Sequence, residues 1–69
     1  MPSSSIRAIG YEAETQSLIV GFVSGAVYAY RDVPQAVYRA FKDAPSKGRF
    51  FASEIRPRFT RFEQIKDAD

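Results

Sequence analysis

The chain has 69 residues, with ten Lys and Arg against eight Asp and Glu and neither Cys nor His. It is enough for one small domain, excludes a disulfide framework, and leaves carboxylates as the only metal-ligating side chains, which makes a structural zinc site implausible. Hydrophobic residues make up 45% of the chain, including six Phe and four Tyr, so a hydrophobic core must hold the fold and wholesale disorder is not expected. The net charge of +2 is too small for a polycation, no apolar run approaches the roughly twenty residues of a bilayer span, and Met1-Pro2-Ser3-Ser4-Ser5 lacks the charged and apolar regions of a secretory leader. The expectation is a soluble cytoplasmic α+β domain with no membrane association.

Ile6 to Tyr11 and Ser17 to Val23 are short β-rich runs separated by the polar turn Glu12-Ala13-Glu14-Thr15-Gln16. Ser24-Gly25 interrupts the second run before Ala26 to Tyr30 resumes it, which predicts a tight hairpin and a three-stranded antiparallel meander. Two registers compete, and a slip of one residue moves every side chain to the other face. A two-residue loop at Ser24-Gly25 groups Leu18, Val20 and Phe22 with Val27 and Ala29, and leaves Tyr28 and Tyr30 facing away as a surface on which bases would stack. A three-residue loop, Val23-Ser24-Gly25, groups them with Tyr28 and Tyr30. The second is favoured because it puts Gly25 at the left-handed position of a bulged turn and gathers the largest apolar groups on one face.

Val33-Pro34 ends the meander and opens a helix, since proline is tolerated in the first turn and Asp32 adds favourable charge there. This helix is expected to reach Asp43 and to cover the sheet with Ala36, Val37, Ala40, Phe41 and Ala44, which recur at intervals of three and four. Pro45 forbids continuation. Ser46 is the candidate N-cap of a second short helix anchored by Phe51 and Ile55 and ending near Arg56, because Pro57 disfavours helical geometry in the residue before it. Arg58-Phe59-Thr60-Arg61-Phe62 alternates and is expected to lie extended against the domain, with residues 1–5 and 63–69 flexible. The fold expected is thus α+β, a three-stranded meander followed by two short helices packed on it, in one domain whose core spans residues 6–59.

Three ordered elements carry a resemblance: Leu18-x-Val20-x-Phe22-x-x-Gly25-x-x-Tyr28-x-Tyr30, then Asp32-Val33-Pro34 with Val37-Tyr38, then Ala44-x-Ser46-x-Gly48-x-x-Phe51 with Ile55-Arg56. Together, over about Ile6 to Phe59, they closely resemble the KTSC domain family, named for a module at the C-terminus of some lysyl-tRNA synthetases and found also as small stand-alone proteins. The resemblance implies a small sheet carrying helices and supplies no catalytic residues. Its association with a tRNA synthetase points toward RNA, although a shared fold does not transmit a shared function. Ala52 departs from the pattern, standing where asparagine is often expected after the phenylalanine.

The residues argue against an enzyme: with neither His nor Cys the chain lacks the commonest general base and the readiest covalent nucleophile. Glu12 and Glu14 lie in a turn, where solvated charge is the ordinary outcome. Gly21, Gly25 and Gly48 are isolated, and Lys47-Gly48 lacks the upstream glycine and the hydroxyl residue of a phosphate loop. No cofactor is implied. The better candidate is the tract from Lys47 to Phe62, where Lys47, Arg49, Arg56, Arg58 and Arg61 stand against Glu54 alone, a local excess of four positive charges. Those five side chains are the candidate phosphate contacts of an RNA-binding module. The phenylalanines among them, Phe50, Phe51, Phe59 and Phe62, are expected in the core, because so small a domain needs them inside. The alternative is a protein-interaction module, a homodimer or docking domain that uses an unpaired strand edge or an uncovered sheet face carrying Ile19, Val23, Val27 and Ala29.

Overall fold

A computed structural model describes residues 6–67. Four strands, β1 (Ile6–Glu12), β2 (Ser17–Phe22), β3 (Val27–Tyr30) and β4 (Phe62–Lys66), form one antiparallel sheet in the order β1-β2-β3-β4. Two helices, α1 (Gln35–Asp43) and α2 (Lys47–Phe50), intervene between β3 and β4, and α2 runs on into a π-helical turn over Phe51–Ile55. The α+β class and the two helices are as expected; the sheet has four strands, not three.

The second hairpin adopts the three-residue loop. Leu18 pairs with Tyr30 and Val20 with Tyr28, the Phe22 N–H donates to the Ala26 carbonyl at 2.9 Å, and the Gly25 N–H donates to Phe22 at 2.9 Å. Gly25 has φ 103, the positive region that only glycine enters without a steric penalty. Leu18, Val20, Phe22, Tyr28 and Tyr30 therefore share one face of the sheet.

Helix α1 starts one residue later than expected. Pro34 is its N-cap, in extended geometry, and its carbonyl takes the Val37 N–H at 3.0 Å. Asp32 does not serve the helix: it has φ 59 and its carboxylate accepts a 2.6 Å bond from Arg61. The expected apolar stripe is also rotated. Ala36 and Ala40 are exposed, while Tyr38 turns inward beside Val37 and Phe41. The large ring outweighs the two methyl groups, since burial energy scales with apolar area. Tyr38 stacks on Tyr11 at 5.3 Å, and the Tyr11 hydroxyl donates to the Val33 carbonyl at 2.6 Å. Beyond Pro45, Ser46 caps α2 as expected, accepting the Arg49 N–H at 3.3 Å, and Phe51 and Ile55 are its buried anchors.

The core under the helices is built from Leu18, Val20, Tyr30, Val33, Phe41, Phe51 and Ile55. Phe50 and Phe59 pack against it as expected, with Phe50 stacked on Phe41 at 5.2 Å. Phe62, also expected in the core, is instead 53% exposed and meets Tyr30 from the surface. It opens β4, which runs on through residues 63–66, where a frayed tail is expected from the sequence. Strand β4 pairs along β3, Tyr30 with Phe62 and Ala29 with Glu63, with a bulge at Val27/Tyr28. All five of its residues are exposed, so backbone pairing and two surface ion pairs, Arg31–Glu63 at 2.7 Å and Arg61–Asp32 at 2.6 Å, hold this segment. Residues 1–5 and 68–69 lie outside the described residues.

The opposite face of the sheet is less open than the sequence implies. Ala29 is fully buried and Ile19 and Val27 are half-buried. Arg31 lies across this face and donates to Ser17 and to Glu63, each at 2.7 Å. Among the described residues, the large exposed apolar side chains besides Phe62 are Val23 at the hairpin tip and Ile65 on β4, at 62% and 57%. The edge beside β3 is taken by β4, and β1 carries a bulge between Ile6 and Ala8, a device that blunts edge pairing.

Candidate functional site

The register that buries Tyr30 also decides where the chain leaves an opening. Because Tyr30 pairs with Phe62 across β3 and β4, and Tyr28 precedes Tyr30 by two, all three rings project from the helix-bearing face. Their centroids lie 5.2 Å apart for Tyr30–Phe62, 5.8 Å for Tyr28–Phe62 and 6.5 Å for Tyr28–Tyr30. Phe22 and Phe51 meet this cluster edge-on, Phe22 against Tyr28 at 5.7 Å and Phe51 against Tyr30 at 5.6 Å. Edge-to-face packing fixes the ring planes, and Phe62 at the outer end of the cluster is left half-exposed.

The other wall is α2 with its π-helical turn. The Arg56 N–H reaches back five residues to Phe51 at 3.0 Å, one wide turn that lets Phe51 and Ile55 both face inward and leaves Arg49, Ala52 and Arg56 on the rim. Such turns recur at functional sites. The groove between the walls has a volume of about 1190 Å³ and is lined by Phe22, Tyr28, Tyr30, Phe51 and Phe62, with Arg49, Ala52, Arg56, Ser24 and Ser46 among the residues at its margin. Among the described residues no carboxylate lines it.

Electrostatically the groove is cationic. Arg49 and Arg56 make no ion pair among the described residues, whereas the carboxylates nearest in sequence are engaged or outside it. Burial pushes the Tyr30 phenol above its ordinary value, the Arg56 guanidinium nearby works against that shift, and Tyr28 adds to it.

The five cationic residues singled out in the sequence are not brought together. Arg49 and Arg56 flank the groove. Arg58 pairs with Glu54 at 3.1 Å and Arg61 with Asp32 at 2.6 Å. The Lys47 ammonium donates to the Ala44 carbonyl at 2.8 Å, closing the end of α1. Sequence reasoning missed the ring side of the site: Phe62 was assigned to the core, and its neighbours Tyr28 and Tyr30 were offered as a stacking surface only in the other register. The signal available was the favoured register itself, which sets both tyrosines on the helix-bearing face. Glu12 and Glu14 are exposed in their turn, Glu12 accepting from Thr15 at 2.9 Å. Among the described residues no cluster of three His, Cys, Asp or Glu side chains exists that would hold a metal ion.

The KTSC domain model matches residues 2–59. The chain belongs to the KTSC domain family. An uncharacterised protein of Stutzerimonas stutzeri is 43% identical over 94% of this chain and 92% of its own length. A lysine–tRNA ligase of Nostoc punctiforme is 44% identical over 90% of the chain, which corresponds to only 11% of that ligase. The crystal structure of a KTSC domain protein from Yersinia pestis superposes with a TM-score of 0.83 at 36% identity, covering 96% of this chain and 92% of that one. The family match ends at Phe59, so the strand that supplies Phe62 lies beyond the matched residues.

Proposed function

We propose that this KTSC domain is a non-enzymatic binding module that takes RNA in the groove between β3–β4 and α2. The observation that carries the reading is the pairing of an aromatic wall, Tyr28, Tyr30 and Phe62, with two guanidinium groups, Arg49 and Arg56, that make no ion pair among the described residues, in a groove that no described carboxylate lines. Rings of this kind give bases a stacking surface, and arginines supply phosphate contacts and cation–π attraction to bases. RNA is preferred to DNA because a relative shares 44% identity with this chain inside a protein named for joining lysine to tRNA. The phosphate contacts reduce from five to Arg49 and Arg56, since the other three cations already have partners within the domain.

The test is an NMR titration of labelled protein with single-stranded RNA, an RNA hairpin and a DNA duplex, each at low and near-physiological salt. Salt-sensitive shifts centred on Tyr28, Tyr30, Arg49, Arg56 and Phe62 support the reading. Absence of shifts with every nucleic acid transfers the proposal to protein docking, for which Val23 and Ile65 are the exposed apolar residues.

A further inference from the structure

We infer that the ligand of the groove is an unpaired stretch of RNA at least three nucleotides long, held more by base stacking than by charge; this rests on the RNA reading above. The first argument is steric. In a duplex the base faces are already stacked on one another, so rings can reach them only in a single strand or a splayed loop. Phe62 is 53% exposed while Tyr30, 5.2 Å away, is 6% exposed, so the outer ring is open to a ligand and the inner one backs it.

The second argument is electrostatic. Among the described residues, the basic side chains at the groove, Arg49 and Arg56, make no ion pair. Two phosphate contacts on a single strand give a slope of log affinity against log salt of about −1.4, whereas all five basic residues of the tract acting together would give about −3.5. The third is spacing. Arg49 and Arg56 are seven residues apart on one continuous helical segment, roughly two turns or about 10 Å along the axis. They therefore engage separate phosphates, and a mononucleotide satisfies only one of them.

The experiment is fluorescence anisotropy at four salt concentrations with a mixed-sequence RNA hexanucleotide, an RNA trinucleotide, a nucleoside monophosphate, and a blunt RNA duplex of the same sequence as the hexanucleotide. The expected result is binding of the hexanucleotide and trinucleotide with a slope near −1.4, much weaker binding of the monophosphate, and no competition by the duplex. Phe62→Ala then weakens binding by about 5- to 100-fold, the range of one lost stacking contact, and Phe62→Leu, which keeps the apolar bulk, does not restore it. A duplex that binds as tightly as the single strand, or a slope near −3.5, overturns the inference and leaves the RNA reading standing with a broad basic face. Failure of every nucleic acid to bind overturns both. Circular dichroism of the Phe62 variants checks that the sheet is intact.

Discussion

The helix-bearing face of the sheet has two ends, and they use aromatic residues in opposite ways. At one end, under α1, Tyr11 lies flat on Tyr38 and Phe41 flat on Phe50, at 5.3 and 5.2 Å. Each ring there has its face covered by another ring of the same chain, and the Tyr11 hydroxyl is tied to the Val33 carbonyl. At the other end, under α2, the rings of Tyr28, Tyr30 and Phe62 are tilted, braced on their edges by Phe22 and Phe51, and flanked by Arg49 and Arg56. The closed end turns aromatic area into stability. At the open end the same kind of side chain is left partly unsatisfied beside charge, which is the condition for binding something else.

The sharpest way to break this comparison is at the closed end. Phe41 is fully buried, and Phe41→Ala is expected to cost about 3 to 5 kcal/mol through lost transfer energy and a residual cavity. A domain of this size has roughly 3 to 10 kcal/mol in all, so the variant is expected to melt far below the parent or to be unfolded at room temperature in chemical denaturation. A near-native melting temperature would mean that Phe41 does not hold α1 to the sheet.

At the open end the effects divide the other way. Phe62→Ala removes a half-exposed ring and is expected to shift the melting temperature by only a few degrees, while RNA affinity falls by about 1 to 3 kcal/mol. If stability falls as much as with Phe41→Ala, Phe62 is structural and the two ends are not different in kind. Smaller again is the effect of charge. Arg49→Ala with Arg56→Ala should flatten the salt slope by about 1.4. Arg58→Ala with Arg61→Ala should leave the slope unchanged and cost stability only through two exposed ion pairs, each worth about 0.2 to 1 kcal/mol. Equal loss of affinity from the two double variants would show that the whole tract binds, as its composition alone implies.

The difference between the ends also marks how far the sequence could be read. The meander, the hairpin register, the Ser46 cap and the anchors Phe51 and Ile55 follow from local chemistry: a glycine that must adopt positive φ, an apolar alternation that must share a face, and a hydroxyl before a helix. The inward turn of Tyr38 in place of Ala36 and Ala40 does not, because helix periodicity alone allows a rotation that only the partner ring on β1 decides. Strand β4 is harder still. Phe62-Glu63-Gln64-Ile65-Lys66 has no buried face, and its bulge against Val27 and Tyr28 breaks the alternation, so its strand character comes from the unpaired edge of β3 and not from its own pattern. With β4 unread, Phe62 had no reason to stand beside Tyr30. The pairing of Arg61 with Asp32 was hidden for the same reason, since the two are 29 residues apart in the chain, whereas the pairing of Arg58 with Glu54 is local, one helical turn apart.

The smallest effect probes the electrostatic influence of Arg56 on Tyr30. Burial holds the Tyr30 phenol above its ordinary value of 10.0, with Arg56 opposing. The unfolded chain ionises this phenol at the ordinary value, so in the window above pH 10 the unfolded state binds fewer protons than the folded one, and stability falls as pH rises. The contribution is fully present below that window and is lost as pH climbs through the folded value. Denaturant unfolding between about pH 8 and about pH 11, spanning the ordinary phenol value, should show a shallower decline for Tyr30→Phe than for the parent. Arg56→Ala should show a steeper one, because the guanidinium no longer offsets burial. If Arg56→Ala and the parent decline alike, the Arg56 charge does not reach Tyr30, and the groove loses the charge that distinguishes it from the closed end of the same sheet.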